Sequence, residues 1–209
     1  MQPAEHSYNL ATHFDPTTLR DIPDDPAAME SAIRYLEERL PILDTLSIAQ
    51  QITTLSRLGS YCRTLGRLDE AQTYLEKAVA ISQRENYHTT TLVNRIRLAH
   101  VYQWQRRFDI ADHIFQDCIA FCRTDLQSYL DFAYQHYGKS LFDQARYAEA
   151  VSLFQAALDL RLQKGDTELI ESTQLALRAA EERHQADSSA LTSASYPRNL
   201  GIQQRTASR

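Results

Sequence analysis

Along the middle of the chain, apolar residues recur every three or four positions, the spacing that places them on one side of an α-helix, and short polar turns break the pattern at regular intervals. Three of these turns are alike: Gly66 to Ala71 reads GRLDEA, Arg106 to Ala111 reads RRFDIA, and Gln144 to Ala150 reads QARYAEA. Each sets a polar turn, a bulky residue and an acidic position before an alanine, with Leu75, Phe115 or Phe154 four residues further on. The helix-length segment before each turn carries a second signature: Leu55-x-x-Leu58-Gly59-x-x-Cys62, Arg95-x-x-Leu98-Ala99-x-x-Tyr102 and Tyr134-x-x-Tyr137-Gly138-x-x-Leu141. The alanines Ala71, Ala111 and Ala150 are 40 and 39 residues apart, and a half copy with Ala32 and Leu36 stands 39 residues before Ala71.

A repeat of this length predicts a helix, a tight turn and a second antiparallel helix. Gly59, Ala99 and Gly138 on the first helices, and the three alanines on the second, let backbones approach while large residues fill the space beside them. Asp69 and Asp109 stand where they could cap the second helices, and Glu149 puts a carboxylate near the third. One pair leaves an apolar face uncovered, so stability belongs to the stacked array. Before the array, residues 1–25 lack helical periodicity and are expected to be loose or extended, until Asp24-Asp25-Pro26 signals a helix start. After it, Leu169, Thr173, Leu177 and Ala180 share one face of a capping helix over residues 167–184. Residues 187–209, serine-rich and basic, are expected to form a disordered tail, leaving 26–186 as the helical domain.

These motifs resemble tetratricopeptide repeats over about residues 52–164. The resemblance implies an all-α, right-handed superhelical solenoid of antiparallel helix pairs, with three full repeats, an N-terminal half repeat and a C-terminal cap. Two features depart from the common pattern. Its terminal proline is replaced by Gln83, Arg123 and Leu162, and the period exceeds the usual 34, as in the extended variants of kinesin light chains and of bacterial regulators related to the maltose activator.

Composition changes this picture little: 209 residues, 43% hydrophobic and 23% charged, describe one ordinary globular domain with a real core. No apolar run is long enough for a membrane span, the first residues do not read as a signal peptide, and three cysteines without framework spacing suit a reducing compartment, so a cytoplasmic protein is expected. Charge is more informative, because the net value of -5 hides an uneven layout. Arg57, Arg63, Arg67, Arg95, Arg97, Arg106 and Arg107 occupy two acid-free stretches, 52–67 and 92–107, whereas residues 1–50 are strongly acidic. In the family the first helices line a concave groove, so the resemblance implies a groove that is cationic at one end. The same arginines equally suit solvated surfaces paired with carboxylates of adjacent turns.

Carried over from the family, the groove lining comprises Ser56, Ser60 and Arg63, then Arg97, His100, Gln103 and Trp104, then Phe132, Gln135, His136, Lys139 and Phe142. Cations, amides and flat aromatics suit an extended or acidic peptide of a partner protein. The carboxylate clamp of chaperone-binding members is essentially missing, its positions being held by Ser56, Ser60, Arg97, Phe132 and His136. For Trp104 alone, packing into the next repeat is favoured over ligand stacking. The expected role is an adaptor or scaffold without cofactor, membrane or nucleic acid, homo-oligomerisation being left open. Nucleic-acid binding by the arginines is the second reading. A metal enzyme is a remote third, resting on Cys118, Cys122 and His113, though thiols at such positions are usually plain core. No catalytic motif is present. One further expectation joins the charge extremes: the acidic segment from Asp15 to Asp25 could fold over the cationic groove and compete with the partner.

Overall fold

The computed structural model describes residues 8–194. Three antiparallel helix pairs follow one another: α2 (Ile48–Thr64) with α3 (Leu68–Arg84), α4 (His88–Trp104) with α5 (Phe108–Thr124), and α6 (Leu130–Asp143) with α7 (Tyr147–Lys164). The helix α1 (Pro26–Glu37) precedes them as the half repeat, and α8 (Thr167–Ala194) closes the stack against α7. The result is the expected helical solenoid.

The repeated signature residues build its core. Ala71, Leu75, Ala111, Phe115, Ala150 and Phe154 are fully buried, as are Ala32 and Ile33 of the half repeat. At Gly59 an added Cβ would strike Leu75 Cγ, and at Gly138 it would come within 2.6 Å of Phe154 Cε1, so the two helices of those pairs touch where the sequence has no side chain. Tyr137 stacks on Phe115, at 5.4 Å between centroids, joining the third repeat to the second.

Four helix ends share one closing device. After α2, α3, α4 and α6 the chain takes a left-handed residue, respectively Gly66, Asn86, Arg106 and Ala145. The next backbone N–H reaches back five residues, as from Arg67 to Cys62 O and from Arg146 to Leu141 O, which satisfies carbonyls the helix would leave open. The second helices then begin without the side-chain caps expected of Asp69 and Asp109: the cap positions are Arg67 and Arg107, and the aspartates lie in the first turn. Asp25 does cap α1, accepting from Ala28 N at 2.9 Å. Ser47 and Gln50 form a reciprocal capping box at the start of α2.

The ends of the described chain carry more regular structure than the sequence pattern announces. Residues 12–23, expected to be loose or extended, are extended and pair as an antiparallel hairpin of β1 (Thr12–Asp15) and β2 (Arg20–Pro23), with Phe14 opposite Asp21. Asp15 holds its turn, accepting from Thr17 N and from Thr18 Oγ1. At the other end α8 continues to Ala194, beyond the expected boundary at 186. Its face is set by Thr173, Leu177 and Ala180, while Leu169 remains 40% exposed. The rest of the expected tail, 195–209, lies outside the described residues.

Candidate functional site

The first helices α2, α4 and α6 lie side by side and supply one wall, on which the hairpin rests. Its tip residue Leu19, in a left-handed conformation, is 2% exposed and belongs to the main core. Burial of a leucine is worth about 1.5–3 kcal/mol, enough to hold a short hairpin that would be marginal alone.

Around that anchor the contacts are polar. Asp21 sits between two cations of this wall, 3.6 Å from Arg63 Nη2 and 3.8 Å from Lys139 Nζ. Burial works against ionisation of Asp21, but Lys139 and Arg63 outweigh it and keep its carboxyl below the usual range. Arg20 pairs in the opposite sense, with Asp143 at 2.7 Å. The guanidinium groups of Arg20 and Arg63 both lie over the Trp104 ring, at 4.6 and 4.8 Å, and Lys139 lies 4.5 Å from the Phe14 ring.

Beneath the hairpin, His100 Nε2 and His136 Nδ1 are 2.7 Å apart, and His100 Nδ1 is 2.6 Å from Gln103 Oε1. Burial, followed by the charge of Arg63, pushes the His100 imidazole down to about 3, and burial holds His136 well below its ordinary value. Both rings are therefore neutral near pH 7. Gln103 completes the chain by donating to Asp143 at 3.1 Å. A cavity of about 280 Å³ remains between hairpin and wall, lined among others by Ser60, Arg97, His100, Phe132, His136 and Asp21.

Ten of the twelve expected groove residues are thus placed on or beside this wall, counting Ser56 and Arg97 at its open end. Phe142 is not a lining residue: it is 6% exposed and packs edge-on against Tyr147 of α7. Gln135 is buried and, among the described residues, neither of its amide atoms has a hydrogen-bond partner. Trp104, expected to pack into the next repeat, is instead half-buried beneath two arginines and outside the main core.

Several arginines of the acid-free stretches serve elsewhere. Arg67 bonds Glu30 and Glu37 of α1 and Glu70 of α3, and Arg95 pairs with Asp117 at 2.8 Å. Arg106 lies over Phe108 and Arg107 over Tyr102, at the turn between α4 and α5. Nothing in the sequence singles out Asp143, because one acid at a helix end carries no distinguishing pattern. The three cysteines are buried, and burial raises their thiols to about 12 for Cys62 and Cys118 and about 11 for Cys122. Among the described residues, no group of three His, Cys, Asp or Glu side chains could hold a metal ion, and no helix is long and apolar enough to cross a membrane.

Models described as tetratricopeptide repeat match residues 50–124 and 133–164. No curated protein matches. Among solved structures, the chain resembles the nearly identical TPR-like repeats of a kinesin light chain-type protein from Podosopora anserina, at 18% identity and a TM-score of 0.59, over 80% of this chain and 84% of that one. It also resembles BtubC from P. vanneervenii, at 17% identity and a TM-score of 0.57, over 88% of this chain and 80% of that one. At such identities the likeness speaks to the fold alone.

Proposed function

This chain belongs to the tetratricopeptide repeat family, and we propose that it is an adaptor whose concave wall holds an extended acidic segment of a partner protein. The repeats make it a protein-interaction scaffold; the chemistry of the partner is our reading. The observation that carries it is the seat of Asp21: the chain's own strand places a carboxylate between Arg63 and Lys139 and buries a leucine beside it. A site that accepts this strand has the donors, the apolar seat and the positive charge that an acidic segment of another protein requires. Two cations face one carboxylate there, so positive charge remains even with the hairpin docked. The hairpin is then an intramolecular occupant, and its tether gives weak attraction a high effective concentration.

Affinity capture from native extract tests this with three full-length baits: the wild type, a Leu19→Asp variant that releases the hairpin, and an Arg63→Glu, Lys139→Glu variant. A common partner should be enriched on the released bait and lost from the charge-reversed one. Equal recovery on all three would sink the reading.

A further inference from the structure

At the end of the wall away from Lys139, a second cavity of about 300 Å³ opens between α2 and α4, with no hairpin residue and no carboxylate among its described lining residues. Three independent features converge there. Among the described residues, Ser56 Oγ and Asn94 Nδ2 are buried donors without a hydrogen-bond partner, on residues 6% and 0% exposed. Arg97 fixes the amide orientation, since its Nη1 donates to Asn94 Oδ1 at 3.4 Å and leaves Nδ2 as the unpaired end. Unpaired buried donors of this kind are destabilising, a penalty that a ligand oxygen would remove.

The second feature is the start of α4. Thr89 and Thr90 line the cavity and belong to the first turn of that helix, whose cap position, Tyr87, supplies no side-chain acceptor. Their backbone N–H groups have no preceding helical carbonyl to bond, and the helix dipole adds positive potential. Arg97 is the third feature. Among the described residues it has no ion pair, unlike Arg63 beside it, and burial followed by the neighbouring charge of Arg63 lowers its pKa. A cation, an uncapped helix start and two orphaned donors around an acid-free cavity are the components of an anion site.

We infer that this cavity binds an oxyanion, a carboxylate or phosphoryl group carried by the partner segment, on Arg97, Asn94, Ser56 and the N-terminus of α4. The inference rests on the adaptor reading only for where the anion comes from. The site lies beside the docked hairpin, so it is open while the rest of the wall is occupied, and a partner anchored here would reach the hairpin from its flank.

Titration of the full-length, isotope-labelled chain by NMR at constant ionic strength tests the site, with the hairpin in place. The probes are inorganic phosphate, N-acetyl-tetraglutamate amide and, as neutral control, N-acetyl-tetraglutamine amide. Saturable shifts are expected at the Asn94 side-chain amide and the Thr89 and Thr90 backbone amides, with the neutral peptide silent. Phosphate alone saturating would assign a phosphoryl group, and the glutamate peptide alone a carboxylate. Arg97→Gln should weaken binding at least tenfold. Thr89→Glu, which sets a carboxylate at the helix start, should abolish probe binding while raising Tm, so loss of the site is separable from loss of the fold. No saturation at these nuclei, or unchanged binding in both variants, overturns the inference. Neither result bears on capture by the Arg63 and Lys139 end, which stands or falls with the baits above.

Discussion

Ala145 shows what a single residue contributes to this array. It occupies the left-handed turn position that Gly66 fills in the first repeat and Arg106 in the second. A residue with a Cβ is disfavoured there by about 1–2 kcal/mol, while glycine in its place loses more entropy on folding. Ala145 is exposed, so nothing else changes on substitution. Ala145→Gly should therefore stabilise the protein by about 0.5–1 kcal/mol, read as a rise in the urea midpoint; a lower midpoint would show that the turn is not held as described. Gly59→Ala should act oppositely, because the new Cβ meets Leu75 Cγ inside the first helix pair. A loss of about 1–3 kcal/mol is expected in the same denaturation, and a neutral outcome would mean that the pair is looser than its packing indicates. The glycines at 59 and 138 were legible because they interrupt an otherwise bulky helical face. The turn conformation at Arg106 and Ala145 was not, since neither residue type announces a positive φ.

Among elements, the helix pairs were readable from the repeat and the hairpin was not. Four-residue strands offer too little alternation to signal a strand, and the turn between them lacks an Asn-Gly or Asp-Gly step. Charge nonetheless pointed to the right juxtaposition: the acidic residues 15–25 were expected over the cationic groove, and Asp21 lies there, between Arg63 and Lys139. What charge could not give was the leucine anchor or the reversed pair of Arg20 with Asp143, both of which depend on the three-dimensional course of the turn. Because a lone two-stranded ribbon is marginal in water, strand pairing and docking should be lost together. In the Leu19→Asp variant, hydrogen exchange at the ladder amides of residues 12–15 and 20–23 should become fast, while α3 and α7 keep their protection. Retained ladder protection would mean that the hairpin stands without its seat.

Across the whole molecule, the neutral histidine pair couples stability to pH. His100 and His136 are buried at the centre of the wall, facing Arg63 and Lys139, with Asp21 acting on His100, Asp143 reached through Gln103, and Arg161 acting on His136 from α7. The folded value for His100, about 3, lies below its ordinary value of 6.5, so between these limits the unfolded chain binds protons that the folded chain refuses. Stability from His100 is fully present above pH 6.5 and is lost progressively as the pH falls toward 3, by up to about 1.4 kcal/mol per pH unit, and His136, also held down by burial, acts in the same direction. Asp21 has the same sign, but its contribution is present above its unfolded value of 3.8 and is lost only as the pH falls through that range, so the loss between pH 6.5 and 4.5 belongs chiefly to the histidines. Thermal unfolding followed by circular dichroism should therefore show Tm dropping steeply over that interval in the wild type. A His100→Gln, His136→Gln variant, which keeps polar groups in the wall but nothing to titrate there, should start from a lower Tm at pH 7 and decline more gently. If the two slopes were equal, the acid sensitivity would lie in the surface carboxylates, and the wall beneath the hairpin would be wetter than its burial indicates.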